Sequence, residues 1–227
     1  MADRSPRIVW ITGAGSGIGR SLALEFAAAG DTVILSGRTE NHLHSLQTSI
    51  RAENGRAEVV VCDVRRIEAI QEASRKILAS YGTPDILVNN AGITVFKEFL
   101  ETTPDEFNDI LQTNLRGTFL ATKAVLPSMI ARSQGLIVNI VSFAAKTTYT
   151  GSSVYTASKA GVEALMEGLR AEVRGKGIKI LNVFPGAVLT PIWHPNVQTK
   201  YGNTMMKAEE VAAMIVEITH QPASIMV

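Results

Sequence analysis

The chain has 227 residues, of which 46% are hydrophobic and 19% are charged, and its formal net charge at pH 7 is +1. A chain of this size buries a large core without disulfide bonds, and its near-neutral charge gives no support for nucleic acid or an anionic membrane as a partner. A single cysteine excludes a disulfide framework and, with no signal-peptide-like or membrane-spanning apolar run, predicts a cytoplasmic protein.

Short runs of β-branched residues alternate with helical patterns along the chain. Several runs are apolar at both odd and even positions, which is typical of strands covered on both faces. The alternation predicts an α/β protein with a parallel sheet and helices on both faces. With no repeat or linker, we expect one domain over residues 1–227. The predicted strands are 7–11, 32–36, 57–62, 85–89, 135–141, 179–184 and 224–227, and the predicted helices are 17–29, 40–53, 66–81, 104–132, 153–175 and 208–219.

The first strand runs into a glycine-rich turn, TGAGSGIGR, before the first helix. Its glycines follow the pattern G-x-x-x-G-x-G, at Gly13, Gly17 and Gly19, rather than G-x-G-x-x-G. Glycines let the backbone approach a pyrophosphate, and the helix N-terminus offers free N–H groups and a partial positive charge. The alternative is a turn that only allows close packing of strand and helix. A P-loop is excluded because no Gly-Lys-Ser/Thr follows.

The second strand ends in Gly37 and Arg38, where an NAD-binding protein usually has an acidic residue for the ribose hydroxyls. A guanidinium attracts a 2′-phosphate through charge-assisted hydrogen bonds. Arg38 therefore predicts a contact with NADP(H), the alternative being a solvated surface arginine. Glu40, two residues on, is expected to open the next helix.

The third and fourth strands also end in polar residues. Cys62 has the character of a small buried hydrophobe, whereas Asp63 accepts a hydrogen bond from an adenine amino group or caps the following helix. The fourth strand leads into NNAG, residues 89–92. Its small residues let the adenosine side of a cofactor lie close, and Asn89 and Asn90 can equally tie loop backbones together.

Tyr155 and Lys159 lie four residues apart, so they share one face of the helix that follows the fifth strand. A free phenol has a pKa of about 10, and a neighbouring ammonium stabilises the phenolate and lowers that value. We therefore expect Lys159 to tune Tyr155 for exchanging a proton with a substrate oxygen. Ser142, at the end of the fifth strand, can orient the same oxygen. The Y-x-x-x-K spacing alone is weak, because it occurs by chance on many helices.

Taken together, TGAGSGIG, Asp63, NNAG, TNLRG, Ser142, YTASK and PGAVLT make the sequence similar to the short-chain dehydrogenase/reductase family over essentially its whole length. The resemblance implies a Rossmann-type doubly wound sheet of seven parallel strands and NADP(H) as the cofactor. It implies a catalytic tetrad of Asn114, Ser142, Tyr155 and Lys159, in which Asn114 helps to hold a water of the proton relay. Ser16 stands where NADP-dependent members often have a second basic residue. The implied cofactor contacts are Gly13, Ser16, Gly17, Ile18, Gly19, Arg38, Asp63, Val64, Asn90, Ala91, Gly92, Tyr155, Lys159, Pro185, Gly186, Val188 and Thr190.

Residues 187–207 form the least regular region and are predicted to be a substrate-binding loop or lid. The histidines show no metal-binding spacing, so no metal site is expected. In the similar family, helices equivalent to 104–132 and 153–175 pair across a dimer, which predicts a homodimer or homotetramer. Side chains that can line a substrate pocket are Phe96, Phe143, Tyr149, Ile192 and Trp193.

The expected function is NADPH-dependent reduction of a small ketone or aldehyde, with Tyr155 as the general acid or base. The segments PGAVLTPIW and MM are similar to sepiapterin-reductase-type members. A 3-oxoacyl-carrier-protein reductase and a sugar or steroid alcohol dehydrogenase remain open. The alternatives of other classes are a non-catalytic NADP(H)-binding redox sensor and a hydride-transferring isomerase or dehydratase. An esterase is excluded by the absence of a G-x-S-x-G motif.

Overall fold

The computed structural model describes residues 5–221, and its central sheet contains six parallel strands in the order β3-β2-β1-β4-β5-β6. The predicted seventh strand, 224–227, lies outside the described residues, so the sheet described here has six strands rather than seven. The strands are β1 (Ile8–Thr12), β2 (Thr32–Ser36), β3 (Arg56–Val59), β4 (Ile86–Asn89), β5 (Gly135–Ile140) and β6 (Ile178–Val183).

Helices connect the strands and cover both faces of the sheet. A π-helical turn, Gln112–Arg116, joins α4 to α5, so the predicted helix 104–132 is one nearly continuous helical run. α4 begins with a capping box between Thr103 and Glu106 and has Pro104 at its first position. The helices are α1 (Gly17–Ala28), α2 (Glu40–Ala52), α3 (Ile67–Tyr81), α4 (Pro104–Leu111), α5 (Gly117–Ala131), α6 (Ser153–Glu172), α7 (Pro195–Tyr201) and α8 (Ala208–His220).

The strands are apolar at both odd and even positions because each face of the sheet is buried against helices. Val9 and Ile11 of β1 face a core shared with α1, α2 and α8, whereas Trp10 faces a second core shared with α3, α5 and α6. Trp10 keeps its indole N–H satisfied by donating to the hydroxyl of Ser36 at 2.8 Å. Cys62 is 2% exposed, and burial, with the nearby Asp63 carboxylate, raises the pKa of its thiol to about 12. This is the inert buried residue that the sequence predicts.

The region 187–207 has more regular structure than the sequence indicates. Its ends form a short parallel pair, β7 (Val188–Leu189) with β8 (Met206–Lys207), and α7 lies between them. This backbone pairing holds the two ends of region 187–207 together. The expected loop is therefore a segment with regular secondary structure.

The strand order reverses between β1 and β4, because the chain builds β1-β2-β3 outward and then returns to add β4-β5-β6 on the other side. In such sheets the loops at the carboxyl ends diverge at this switch point and leave a crevice. Within residues 5–221, no helix is long and apolar enough to cross a membrane.

Candidate functional site

A cavity of about 730 Å³ opens at the carboxyl ends of the strands. It extends from the loops that follow β2 and β3 to those that follow β5 and β6. Nearly all residues predicted from the sequence to touch a cofactor line it, and so do the five predicted to line a substrate pocket. Two predicted site residues, Gly19 and Asn114, do not line the cavity, and each has a structural reason.

The glycine turn lies on the floor of the cavity. Gly13 and Gly17 have positive φ angles of 64° and 52°, which favour glycine. Ser16 is the N-cap residue of α1, and its side chain makes no capping hydrogen bond with the N–H groups at the positive end of that helix. Together, the exposed turn and the uncapped helix end fit the pyrophosphate of a dinucleotide.

Gly19 lies behind the turn rather than facing the cavity. A Cβ atom there would approach the carbonyl oxygen of Gly13 to 2.4 Å and the side-chain nitrogen of Asn90 to 2.3 Å. That Asn90 nitrogen donates to the carbonyl oxygens of Thr12 and Gly13, both at 3.0 Å. Asn90 thus ties the loop after β4 to the glycine turn, as one of the two sequence interpretations predicts. The absence of a side chain at Gly19 permits this close packing, and Gly19 does not line the cavity.

Charged side chains collect at the end of the cavity beside β2 and β3. Asp63 accepts hydrogen bonds from the main-chain N–H of Arg65 at 3.0 Å and from its guanidinium, in a 2.8 Å ion pair. Burial works to raise the pKa of Asp63, but the hydrogen bonds and charge of Arg65 and the charge of Arg38 hold it below its ordinary value. Arg66 stands at the N-cap position of α3, and the Asp63 carboxylate bonds Arg65, before the helix, so the alternative that Asp63 caps this helix is wrong.

His42 also lies at this end of the cavity. His42 is exposed and lines the cavity together with Arg38 and Thr39, although the sequence assigned it no part in ligand binding. A Cβ atom on Gly15 would lie 3.2 Å from the Cβ of His42, so the glycine turn passes directly over the first turn of α2. The sequence feature that could have identified His42 is its position four residues after Arg38, which is predicted to bind a phosphate.

At the other end of the cavity, Tyr155 and Ser142 line the same wall, and the Ser142 hydroxyl is near enough to the phenol to lower its pKa. Ser142 follows β5, and its hydroxyl also accepts from the main-chain N–H of Ala144 at 3.1 Å. Tyr155 lies in the first turn of α6. The loop after β5 and the start of α6 therefore present two hydroxyls at one point of the cavity wall, where they can hold a single substrate oxygen.

Lys159 lies behind this pair and is 6% exposed. Its ammonium nitrogen is 5.8 Å from the centroid of the Tyr155 ring and donates to the carbonyl oxygen of Ile140 at 2.6 Å. Burial lowers the pKa of Lys159 to about 8. The sequence places Lys159 correctly, one helical turn beyond Tyr155.

The predicted effect of Lys159 on Tyr155 is wrong for the chain by itself. Burial raises the pKa of Tyr155, and the group that partly lowers it is the hydroxyl of Ser142 rather than the ammonium of Lys159. Removing a phenol from water disfavours phenolate, and here that cost exceeds the help from one hydrogen bond. Tyr155 is consequently a protonated phenol at neutral pH, which makes it a proton donor.

Asn114 lies in the π-helical turn, 1% exposed. Its amide oxygen accepts from the N–H of Ile93 at 2.8 Å, and its amide nitrogen donates to the Ile93 carbonyl and the Ser158 hydroxyl, both at 2.9 Å. Its main-chain oxygen accepts from the hydroxyl of Thr118 at 2.8 Å. The side chain is thus committed to fixing the loop after β4 against α6, which keeps it out of the cavity.

Three asparagines form a ladder that sequence reasoning missed. Asn89, Asn139 and Asn182 are register partners on β4, β5 and β6. Asn89 donates to the amide oxygen of Asn139 at 2.9 Å, Asn139 to that of Asn182 at 2.9 Å, and Asn182 to the carboxylate of Glu167 at 2.9 Å. The ladder fixes the strand ends one residue before the Ile140 carbonyl that binds Lys159. Its signal was an asparagine near the end of each of three strands.

Aromatic side chains close the cavity beyond Tyr155. Phe96 lies with its ring centroid 6.4 Å from that of Tyr155 and stacks on Trp193 at 4.9 Å with an interplanar angle of 2°. The indole N–H of Trp193 donates to the carbonyl oxygen of Val188 at 2.9 Å, which fixes the ring on the 187–207 region. In the described part of the chain, no group of three or more histidine, cysteine, aspartate or glutamate side chains is placed to hold a metal ion.

The sequence and the fold are similar to those of known proteins. The sequence model of the family described as short chain dehydrogenase matches residues 7–201. A sepiapterin reductase of Chlorobaculum tepidum is 36% identical over 95% of this chain and 91% of its own length. Among solved structures, a short-chain dehydrogenase from Streptomyces avermitilis superposes with a TM-score of 0.84 at 37% identity, covering 96% of this chain and 85% of that one. An alcohol dehydrogenase from Thermococcus sibiricus, complexed with 5-hydroxy-NADP, gives a TM-score of 0.89 at 25% identity, covering 98% and 94%.

Proposed function

The chain belongs to the short-chain dehydrogenase family of oxidoreductases, and we propose that it uses NADPH to reduce the carbonyl group of a small molecule to an alcohol. One observation carries this proposal. The buried, protonated phenol of Tyr155 lies beside Ser142 at the wall of a cavity that is also lined by the glycine turn and the start of α1. Carbonyl reduction requires a proton donor beside a site for the cofactor, and these residues can supply both.

Each residue of the proposed catalytic tetrad has a role that follows from its position. Tyr155 donates its proton to the oxygen of the reacting carbonyl, and the hydroxyl of Ser142 donates a hydrogen bond to the same oxygen and orients it. Asn114 is a positioning residue, because its side-chain amide is committed to Ile93 and Ser158. Lys159 uses one N–H on the Ile140 carbonyl, and we propose that its remaining donors face the cofactor. When bound, the nicotinamide supplies the hydride that reduces the carbonyl carbon.

The proposed cofactor is NADP(H) rather than NAD(H). Arg38 lines the end of the cavity that follows β2, where an acidic residue would repel a 2′-phosphate. The Thermococcus sibiricus relative is complexed with an NADP derivative, which supports the same choice. The residues proposed to hold the cofactor are those predicted from the sequence that line the cavity: Gly13, Ser16, Gly17, Ile18, Arg38, Asp63, Val64, Asn90, Ala91, Gly92, Tyr155, Lys159, Pro185, Gly186, Val188 and Thr190.

We also propose that residues 1–227 form one cofactor-binding domain in which 187–207 covers the substrate. Thr190, within that region, supports this, because its Cβ would lie 3.1 Å from a Cβ added to Gly17 in the glycine turn. A homodimer or homotetramer built on the long helices remains part of the proposal. Phe119 of α5 supports it, being 42% exposed on the described chain.

The test is the loss of the reduced-nicotinamide absorbance band when the protein, NADPH and one of a panel of aldehydes, ketones and diketones are mixed. The panel includes a pterin with a side-chain ketone, because one relative is named a sepiapterin reductase. We expect NADPH consumption matched mole for mole by alcohol. Tight cofactor binding without turnover on any compound would contradict the proposal and favour a redox sensor. Substrate conversion without net NADPH consumption would favour an isomerase or dehydratase.

A further inference from the structure

Charge is distributed unevenly in the cavity. Among the described residues that line it, three carry a formal charge: Arg38, Asp63 and Lys159. Arg38 and Asp63 follow β2 and β3, and the titratable His42 lies with them. The end of the cavity beyond Tyr155 is lined by aromatic, aliphatic and hydroxyl side chains. Lys159, behind Tyr155, is therefore the charged lining residue nearest to a substrate at that end.

Arg38 is too distant to provide that match. Ser142 follows β5, and the sheet order β2-β1-β4-β5 places three strand spacings between it and Arg38. At about 4.8 Å per spacing, the two loops are separated by roughly 14 Å. The guanidinium of Arg38 thus serves the end of the cavity near β2 and β3, where it lies within electrostatic reach of Asp63.

The neighbouring lysines are also engaged. Lys159 is buried and donates to the Ile140 carbonyl. Lys97, the residue after Phe96, forms a 2.5 Å ion pair with Glu106. Lys146, beyond Phe143, pairs with Glu163. Neither Lys97 nor Lys146 lines the cavity. An anionic substrate would thus lose its hydration at this end without gaining a cation, which is strongly unfavourable.

The walls at this end suit a flat apolar body. Phe96 lies between the rings of Tyr155 and Trp193, so an aromatic surface continues from the proposed proton donor to the 187–207 region. Ile192, the residue before Trp193, and Tyr149 also line the cavity. Flat rings gain dispersion and edge or face contacts against such a surface, in addition to the apolar area they bury.

We propose that the substrate end of the cavity selects an uncharged carbonyl compound with a flat, largely apolar body beside the carbonyl, and discriminates against carboxylates and phosphates. This inference rests on the proposed function, because it assumes that a carbonyl reacts at Tyr155. It goes further by assigning the chemical class of the substrate from the wall composition.

The first test compares methyl 4-formylbenzoate with 4-carboxybenzaldehyde, which share the reacting group and the ring but differ in charge. Their rates of reduction by borohydride give the intrinsic reactivity, by which the enzymatic kcat/KM values are normalised. We expect the neutral ester to be preferred by about 100-fold or more, since each tenfold corresponds to only about 1.4 kcal/mol of the charge-burial cost.

Equal normalised values, or a preference for the acid, would overturn the inference and leave the proposed function standing. No reduction of either aldehyde or of the wider panel would instead overturn the proposed function, and the inference with it. The two failures are thereby distinguishable.

A second test adds a cation to the aromatic wall. Ile192, which precedes Trp193, lines the cavity and is 36% exposed, is changed to arginine, with Ile192→Gln as the matched polar control. We expect Ile192→Arg to raise the acid-to-ester ratio of kcat/KM at least tenfold over Ile192→Gln, and added salt to reduce this gain. The same ratio in both variants would show that the substrate does not lie against this wall and would overturn the inference.

Discussion

The ammonium nitrogen of Lys159 donates a 2.6 Å hydrogen bond to the carbonyl oxygen of Ile140, in the interior of the protein. Ile140 is the last residue of β5 and precedes Ser142 by two residues, whereas Tyr155 lies one helical turn before Lys159 on α6. This one bond therefore connects the two elements that carry the hydroxyl pair. The bond thereby sets the distance between Tyr155 and Ser142. Burial lowers the pKa of the Lys159 ammonium that makes this bond.

The burial of Lys159 predicts a specific dependence of stability on pH. Its pKa falls from 10.5 to about 8 on folding, so between these values the unfolded chain holds a proton that the folded chain has released. The free energy of unfolding then rises with pH across this window. Compared with Lys159→Met, which lacks the titration, the wild type should gain on the order of 3 kcal/mol between pH 8 and 10.5. Urea unfolding at several pH values measures the difference.

The control for this measurement is Lys176→Met, because Lys176 is exposed in the turn after α6. Its stability curve should run parallel to that of the wild type. Parallel curves for Lys159→Met as well would show that Lys159 is not desolvated in the folded chain.

The raised pKa of Tyr155 predicts opposite pH responses for the two directions of the proposed reaction. Burial raises this pKa and Ser142 only partly offsets it, so the phenol is protonated at neutral pH. Carbonyl reduction uses that protonated form and should change little between about pH 6 and 8. Alcohol oxidation requires phenolate and should rise as the pH increases from about 7 toward 10. Initial rates at saturating cofactor in both directions test this, and an oxidation rate that is flat or falls over that range would contradict it.

Arg38 is expected to set the cofactor preference. Arg38→Asp replaces a cation with an anion beside the proposed site of the 2′-phosphate, so the ratio of kcat/KM for NADPH over NADH should fall by about 100-fold or more, because charge-assisted phosphate contacts are strong. The matched control, Arg174→Asp, makes the same charge change at an exposed residue outside the cavity and should leave the ratio unaltered. If Arg38→Asp also left it unaltered, Arg38 would be a surface charge only.

Gly19 is expected to tolerate no side chain. In Gly19→Ala the new Cβ would lie 2.4 Å from the Gly13 carbonyl oxygen, so the glycine turn and its tie to Asn90 must shift. We expect a loss of stability of about 2 kcal/mol or more together with weaker cofactor binding. Gly168→Ala on α6 is the matched control, because a Cβ there meets nothing within 4 Å. It should stabilise the protein by about 0.5–1 kcal/mol. Thermal unfolding of both variants measures these changes. Similar changes in stability for Gly19→Ala and Gly168→Ala would contradict the packing role of Gly19.

Much of this architecture could be predicted because it follows from local pattern. Strands such as β1 are apolar at both parities because helices cover both faces, and that pattern is visible without coordinates. Arg38, Ser142 and Tyr155 were found because each follows or faces the carboxyl end of a strand, where parallel sheets bind ligands. These features depend on the position of a residue along the chain, so they can be read directly from the sequence.

Other features depend on contacts between distant segments, which spacing does not reveal. The pKa of Tyr155 depends on how much of the chain excludes water from the phenol, and this burial outweighed the neighbouring charge assumed from the sequence. Asp63 does not cap α3, because Arg65 folds back onto it two residues later. The backbone pairing of 188–189 with 206–207 is likewise a tertiary contact, so the region between them gave no periodic signal. Asn114 satisfies its amide groups on Ile93 and Ser158, which a motif cannot show.

The central claim is that the hydroxyl of Tyr155 passes the proton, and Tyr155→Phe tests it most directly. The ring and its packing against Phe96 remain, while the hydroxyl beside Ser142 is lost. Turnover of NADPH with a carbonyl substrate and the dissociation constant for NADPH are measured on the wild type, on Tyr155→Phe and on Tyr81→Phe, a control at the end of α3 and outside the cavity. We expect Tyr155→Phe to lower turnover by about 10²–10⁴-fold with cofactor affinity nearly unchanged, and Tyr81→Phe to change neither. Wild-type turnover in Tyr155→Phe would contradict the role of Tyr155 as proton donor.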